Sequence, residues 1–364
     1  MLDYKADLTI KNSNGETPLF RAVEKNHADI VRILLENNSD PNMCDYKKES
    51  PLFKALKMGQ TNIVKLLLEY ICDANVCNTK NESPIFISSK FGHVDTLKLL
   101  LEHNCDPNIC NNDNVSPLFA ASENGHTDIV RLLIEHQCDP EKCNNDNVSP
   151  LFVASENGHT DINGHIDIVR LLLEHPCDPG KCNNDNVSPL FVASENGHID
   201  IVRLLLEHPC DPGKCNNDNV SPLFVASKNG HIDIVRLLLE HPCDPGKCNN
   251  DNVSPLFVAS ENGHIDIVRL LLEHPCDPRK CNNDYVSPLF VASKNGHIDI
   301  VRLLLEHPCD PGKCNNDNVS PLFVASKNGH IDIVRLLLEH NCNPNMFNDR
   351  NESLFSYCFK EGSH

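Results

Sequence analysis

The sequence of 364 residues contains no tryptophan, and aromatic residues make up only 5% of it. A core must therefore be built mainly from Leu, Ile, Val, Ala and Phe. An excess of positive charge is also lacking, since the formal net charge is −19. Nucleic acids and anionic membranes attract proteins rich in Lys and Arg, so we expect neither as a partner. The acidic residues are spread along the chain, and we interpret them as solubilising.

Long apolar segments are missing as well. No run of 18 apolar residues occurs, and the N-terminal stretch MLDYKADLTIKNSNGE has no apolar core typical of a signal peptide. The 19 cysteines would suggest a disulfide scaffold in a short secreted chain, but this chain is long and has no visible secretion signal. We therefore expect a cytoplasmic, reducing location, with the nucleus as an alternative.

A Ser-Pro or Thr-Pro pair recurs along the chain at a nearly constant interval. Its first residue is found at Thr17, Ser50, Ser83, Ser116, Ser149, Ser188, Ser221, Ser254, Ser287 and Ser320. Every step is 33 residues except the step of 39 from Ser149 to Ser188. A period of this length is typical of repeat proteins in which each repeat is one supersecondary unit.

Residues 188–220, SPLFVASENGHIDIVRLLLEHPCDPGKCNNDNV, show what one repeat contains. Ser188 can cap the N-terminus of a first helix, which Gly197 ends. The second helix has apolar residues around so much of its circumference that we expect packing on several sides. Pro209 prevents its continuation, and NNDN at 216–219 is typical of a turn. Two short helices cannot bury this surface alone, so the sequence predicts stacked copies.

The motif SPLFVASENGHIDIVRLLLEH…CDP resembles the ankyrin repeat, whose pattern is TPLHxAAxxGHxxIVxLLLxxGADxN. The resemblance covers essentially the whole chain. It implies an all-α ankyrin-repeat solenoid, in which helix-turn-helix pairs stack and short β-hairpin loops join them. It divides the chain into the trailing part of a preceding repeat (1–16), ten repeats (17–352) and a partial terminal repeat (353–364). The incomplete units at both ends suggest a fragment of a longer array.

Two positions depart from the family pattern. Phe191 and its copies stand where the family usually has His, so packing replaces a polar contact. A proline replaces the family's Gly after the second helix in the middle repeats, at Pro176, Pro209, Pro242, Pro275 and Pro308. Because proline cannot adopt a positive φ, we expect these helices to end differently from those followed by Asn104 or Asn341.

The 39-residue repeat, 149–187, contains a duplication in which NGHTDI is followed at once by NGHIDI. Six residues added inside a helix would rotate the remainder of that helix by about 240°. A loop between helices accommodates them at a small entropic cost. We predict a bulged helix–helix loop at 159–165 and interpret it as a tolerated slip duplication, with a docking loop as the alternative.

Cysteines occur eight times in a C-x4-C spacing. The pairs are Cys72/Cys77, Cys105/Cys110, Cys138/Cys143, Cys177/Cys182, Cys210/Cys215, Cys243/Cys248, Cys276/Cys281 and Cys309/Cys314. Zinc sites more often have two ligands on one turn, as C-x2-C. The first cysteine takes the place of the family's buried Ala, so we interpret it as a small apolar packing residue. The alternative is a thiol or metal array.

No group of residues points to catalysis. The histidines recur with the repeat, and none is paired at a fixed spacing with a nucleophile and an orienting acid. Glycine-rich nucleotide-binding motifs are also missing from the sequence. Ser-Pro and Asn-x-Ser could be read as phosphorylation or glycosylation sites, but each of these Ser residues is already a predicted helix cap. We predict no enzymatic activity, no cofactor and no metal.

The resemblance implies that a partner binds the hairpin tips and the exposed face of the first helices, which line a concave surface. Carried over onto this sequence, those positions are Asn184, Asp185, Val187, Glu195, Asn196, Asn217, Asp218, Val220, Lys228, Asn229, Asn250, Asp251, Val253, Glu261, Asn262, Asp284, Val286, Lys294 and Asn295. Glu195, Lys228, Glu261 and Lys294 alternate in sign, which predicts ion pairs between repeats. Exposed pairs contribute only about 0–1 kcal/mol each.

We therefore expect a monomeric, non-enzymatic scaffold or adaptor that binds a partner protein or peptide on the concave face. One alternative is a structural spacer or elastic array without a tuned partner, which the near identity of the repeats favours. The other is the regulatory repeat region of a larger multidomain protein.

Overall fold

The computed structural model describes residues 7–70, 72–158, 164–350 and 352. Twenty α-helices and no β-strand are present in these ranges, which agrees with the all-α fold class predicted from the sequence. The chain forms two compact units, residues 1–184 and 185–364.

The N-terminal unit contains ten helices: α1 (Pro18–Glu24), α2 (Ala28–Glu36), α3 (Pro51–Lys57), α4 (Thr61–Glu69), α5 (Pro84–Phe91), α6 (Val94–Glu102), α7 (Pro117–Glu123), α8 (Thr127–Glu135), α9 (Pro150–Glu156) and α10 (His165–Leu173). The C-terminal unit contains α11 (Pro189–Asn196), α12 (Ile199–Leu206), α13 (Pro222–Asn229), α14 (Ile232–Leu239), α15 (Pro255–Asn262), α16 (Ile265–Leu272), α17 (Pro288–Asn295), α18 (Ile298–Leu305), α19 (Pro321–Lys327) and α20 (Ile331–Glu339). Odd-numbered helices are the first helices of their repeats and even-numbered helices the second.

Each first helix begins at the predicted cap. In α11 the Ser188 hydroxyl accepts a hydrogen bond from the Phe191 amide at 3.1 Å, and Pro189 occupies the first turn. The same cap is present at all ten first helices, from Thr17 to Ser320. The cap satisfies one of the amide groups that a helix start leaves without a partner, and proline fits there because it has no N–H.

The first helices form the centre of each stack. Six consecutive residues of α11, from Pro189 to Ser194, are buried, because the helix packs against its own second helix and against the next first helix, α13. The second helix α12 buries Ile201, Val202 and Leu205 and leaves its other apolar residues half-buried. The second helices also pack on several sides, as expected, since α14 packs against α13, α12 and α16, but they bury fewer residues than the first helices.

A glycine ends the first helix where the next repeat approaches. Gly230 has φ +83°, a conformation that side-chain-bearing residues rarely adopt. A Cβ atom there would lie 2.7 Å from Cε1 of His264 in the following repeat. The His264 Nε2–H group donates to the Lys228 carbonyl at 3.0 Å. The Gly-His pair therefore joins neighbouring repeats.

The second helices end differently where proline follows, as the sequence predicted. Without proline, α8 extends to Glu135, and the Cys138 amide donates to the Leu133 carbonyl at 3.1 Å. With Pro209, α12 ends at Leu206, and the Cys210 thiol donates instead to the Leu205 carbonyl at 3.2 Å. The thiol is a weak donor that partly satisfies a carbonyl at the helix end.

The second copy of the duplicated segment provides the glycine and the histidine that contact the preceding repeat. Most of the predicted loop, residues 159–163, lies outside the described residues. Gly164 has φ +68°, and His165 Nε2 donates to the Glu123 carbonyl at 3.2 Å, the bond that the repeat histidines make elsewhere. Asn157 of the first copy donates to the same carbonyl at 3.5 Å. The added residues are therefore 158–163, and His165, expected in the loop, belongs to α10.

Candidate functional site

The hairpin tips are built by asparagine and contain turns without strands in the described ranges. Asn216 Oδ1 accepts hydrogen bonds from the Asp218 amide at 3.0 Å and from the Val220 amide at 2.9 Å. Asn219 adopts φ +61°, which asparagine tolerates better than most residues. This arrangement projects Asp218 from the tip, and its side chain is exposed.

The tips of successive repeats are joined by a ladder of hydrogen bonds. The Asn250 amide donates to the Asp218 carbonyl at 3.0 Å, and Asn250 Nδ2 donates to the Asn217 carbonyl at 3.3 Å. Asn219 Nδ2 donates to the Cys248 carbonyl at 3.0 Å. Asn217 and Asn250 were predicted to contact a partner, and the structure gives both positions a part in holding the repeats together.

The asparagines at the end of the first helices are engaged in the same way. Asn229 Nδ2 donates to the Glu195 carbonyl at 2.8 Å, and Asn295 Nδ2 donates to the Glu261 carbonyl at 2.8 Å. These asparagine side chains are exposed to solvent, but their amide groups already donate hydrogen bonds to the preceding repeat. Their role as partner contacts stays a prediction, and their replacement would also weaken the stack.

The C-terminal unit has a groove of about 560 Å³ across three successive repeats. Phe191, Phe224, Val225 and Val258 give it an apolar lining. It brings together seven of the predicted site residues: Glu195, Asp218, Val220, Lys228, Asn250, Asp251 and Glu261. Residues distant in the sequence therefore converge on one surface.

The remaining predicted residues occupy equivalent positions outside this groove. Polar members are exposed, namely Asn184, Asp185, Asn196, Asn217, Asn229, Asn262, Asp284, Lys294 and Asn295. Val187, Val253 and Val286 are half-buried, as is Val220 within the groove. All are accessible, at least in part.

The predicted ion pairs between repeats are wrong. Among the described residues, Glu195, Lys228, Glu261 and Lys294 form no ion pair within 4 Å. These side chains are exposed, so a weak Coulomb attraction does not offset hydration and side-chain entropy. An ion pair between repeats forms instead between Glu24 and Lys54, whose charged atoms lie 2.9 Å apart. Lys54 is a second basic residue of α3, one turn before Lys57.

The cysteines that the structure describes are free thiols. Burial raises the pKa of Cys138 to about 12, with Asp106 and Asp139 adding to the effect. Burial likewise raises the pKa of Cys105 to about 11. Within the described ranges, no three His, Cys, Asp or Glu side chains are grouped so as to hold a metal ion. Thiolates are the nucleophilic and metal-binding form, so raised pKa values oppose both roles.

Sequence reasoning overlooked exposed residues that interrupt the repeated pattern. Tyr285 stands where the neighbouring tips have Asn252 and Asn318, has φ +59° and is 55% exposed. Lys313 Nζ lies 5.4 Å from the centre of its ring. In the N-terminal unit, Tyr46, Met58 and Phe91 are exposed at positions held by asparagine in the middle repeats. The sequence alone could have indicated these residues, because each differs from the residue that the middle repeats have at the same position.

None of the helices in the described ranges has the length and apolar character needed to cross a membrane.

Comparison with known proteins agrees with the helix pairs and their spacing. The family of ankyrin repeats, described in blocks of three copies, matches residues 1–79, 85–162, 137–216, 162–249, 208–280 and 256–348. A putative ankyrin repeat protein of fowlpox virus (strain NVSL) is 47% identical over 45 residues. That match covers 12% of this chain and 17% of the length of the viral protein. The chain belongs to the ankyrin repeat family.

Proposed function

We propose that the chain is a non-enzymatic scaffold or adaptor that binds a partner protein or peptide in the groove lined by first helices and hairpin tips. Ankyrin repeats are generally protein–protein interaction modules. The observation that carries the proposal is the groove of the C-terminal unit, in which three repeats contribute exposed charges above apolar side chains that are largely buried.

The charged side chains of this groove remain available to a partner. Within the described part of the chain, the carboxylates of Asp218 and Asp251 make no hydrogen bond or ion pair, while their backbone groups are used in the tip ladder. The ten repeats at 17–352, a monomeric state and a cytoplasmic location are parts of the same proposal.

The proposal is tested by affinity capture from a cell lysate with the full chain. The groove variant carries Glu195→Lys, Lys228→Glu, Glu261→Lys and Lys294→Glu, and it leaves the asparagines intact because they join the repeats. A matched control carries Arg203→Glu, Glu207→Lys, Arg269→Glu and Glu273→Lys, which are exposed on the second helices or at their ends. Both variants leave the net charge unchanged, and circular dichroism checks folding.

A specific partner that the groove variant loses and the control retains would support the proposal. Equal capture by all three proteins would overturn the groove as the site. The spacer alternative is favoured by one observation, namely that the asparagine side chains at predicted binding positions serve the stack. Failure of every protein to capture a specific partner would favour that alternative.

A further inference from the structure

Two hairpin tips of the N-terminal unit carry lysine where the tips that follow carry aspartate. The Thr79 amide donates to the Lys47 carbonyl and the Asn112 amide to the Lys80 carbonyl, which are the same ladder bonds that the tip aspartates accept elsewhere. Lys47 and Lys80 therefore occupy the positions of Asp113 and Asp146. Along the N-terminal unit, the charge of the tip residue therefore changes from positive in the first two of these tips to negative in the next two.

A lysine also lies at the exposed end of a first helix in this part of the chain, at the position that Lys228 and Lys294 occupy in later repeats. His126 Nε2 donates to the Lys90 carbonyl at 3.2 Å, and His165 Nε2 makes the equivalent bond to the Glu123 carbonyl. Lys90 thus occupies the position of Glu123, one repeat earlier. Within the described residues, Lys47, Lys80 and Lys90 are exposed and form no ion pair within 4 Å. On a chain of net charge −19, this is a local concentration of unpaired positive charge.

Large apolar side chains are exposed in the same repeats, with Tyr46 next to Lys47 and Phe91 next to Lys90 in the sequence. Tyr46 is 73% exposed, Met58 48% and Phe91 45%. The middle repeats place asparagine at all three positions, so apolar residues there are not required by the stack. Aromatic residues and Met are enriched in protein interfaces, and tyrosine is frequent among residues that dominate binding energy.

We propose that these six residues form a docking surface for an acidic, extended segment of a partner protein that carries apolar side chains. This surface is called the basic patch, and it consists of Tyr46, Lys47, Met58, Lys80, Lys90 and Phe91. Carboxylates of the partner pair with the three lysines, and its apolar side chains cover the aromatic rings and Met58. The inference rests on the proposed function, since it takes the chain to be a partner-binding scaffold and adds a second docking surface, with its own partner chemistry, in the first repeats.

The test uses the full chain and a fluorescently labelled peptide of the repeating sequence Glu-Glu-Leu, with Lys-Lys-Leu as the opposite-charge probe. One variant carries Lys47→Asp, Lys80→Asp and Lys90→Glu, and other repeats carry these acidic residues at the same positions, as at Asp113, Asp146 and Glu123. The matched control carries Lys65→Glu, Lys98→Glu and Arg131→Glu, which are exposed on second helices and change the net charge equally. A third variant carries Tyr46→Asn, Met58→Asn and Phe91→Asn.

The acidic peptide is expected to bind the wild-type chain at low ionic strength, and the patch variant is expected to weaken binding about tenfold or more, since surface charge pairs add up across three sites. The asparagine variant is expected to weaken binding about tenfold as well, through lost apolar contact. The control should bind within about twofold of wild type, because its charges lie outside the patch.

Equal weakening by the control, stronger binding of the basic peptide or no binding of the acidic one would each overturn the inference. Concentration-dependent self-association that the patch variant abolishes would assign the surface to a second copy and also overturn it. A partner captured from lysate that depends on Glu195 and Lys228 and not on the basic patch would leave the proposed function standing while this inference fails.

Discussion

At the residue scale, the structure separates side chains that build the stack from those that are available to a partner. Ser188 and Gly197 act as the sequence predicted, because helix caps depend on local backbone conformation. The bonds of Asn229 and Asn250 to the preceding repeat were not predicted. They depend on how two repeats are placed side by side, and a sequence pattern does not contain that placement.

The raised pKa of Cys138 predicts a loss of stability at alkaline pH. The folded state keeps the thiol protonated up to a pKa of about 12, whereas an unfolded thiol ionises near its ordinary value of 9.0. The stabilisation from the neutral buried thiol is therefore present below pH 9 and is lost as the pH rises toward 12.

This prediction is checked by thermal unfolding of wild type and Cys138→Ala between pH 8 and pH 11. The stability advantage of wild type over the variant is expected to shrink steadily across that range. A variant with Cys143→Ala, on the half-buried hairpin cysteine, measures the background change. An advantage that stays constant with pH would contradict the prediction.

At the element scale, the ends of helices decide how repeats join. The ten N-terminal caps were predictable, since Ser-Pro and Thr-Pro are strong local signals. The different ends of the second helices that precede Pro209 and its copies were also predictable, since proline excludes a positive φ. The contact of His165 with the Glu123 carbonyl was not predictable, because the two copies, NGHTDI and NGHIDI, have nearly the same local sequence.

The glycine that ends α13 is predicted to be far more sensitive than a glycine in a hairpin. Gly230→Ala is expected to lower the free energy of unfolding by about 1–3 kcal/mol, because alanine resists φ +83° and its Cβ atom would overlap His264. Gly246→Ala meets no atom closer than 3.5 Å and needs no positive φ.

The control is therefore expected to be neutral, or stabilising by up to about 1 kcal/mol, since alanine restricts the unfolded chain. Urea unfolding followed by circular dichroism measures both variants. Similar losses in the two would show that the contact with the next repeat is not the cause.

At the scale of the whole molecule, family membership and fold class follow from the 33-residue period. The period also makes Lys47, Lys80 and Asp113 equivalent, since they are 33 residues apart. The period did not show that these residues lie at exposed tips that are joined by ladder bonds. The binding positions were predicted in the middle repeats, which are nearly identical, whereas the unusual exposed side chains lie in the first repeats.

The charge of the molecule predicts a response to salt. Asp218, Asp251 and Asp284 repeat at equivalent tips, and neighbouring repeats are spaced by about 10 Å. At low ionic strength the Debye length is about 30 Å, so like charges repel along the row. Raising NaCl from about 10 mM to about 150 mM is expected to raise Tm.

The variant Asp218→Asn, Asp251→Asn and Asp284→Asn should raise Tm at low salt and reduce its salt dependence, because it removes part of the repulsion. The matched variant Asp233→Asn, Asp266→Asn and Asp299→Asn removes the same charge from the N-termini of second helices, where negative charge is favourable. Calorimetry at two salt concentrations compares the three proteins. Equal behaviour of both variants would contradict a specific effect of the tips.

The bonds between repeats also bear on how such a chain changes over generations. Excision of residues 221–253 would join Val220 to Ser254 and bring Asn283 to the carbonyl of Asn217, where it now meets that of Asn250. His264 would meet the carbonyl of Glu195 in place of that of Lys228. Every new junction would use the same atoms as the old one. Recombination between near-identical gene segments can therefore add or remove whole repeats, and an array of any resulting length retains all the hydrogen bonds between neighbouring repeats.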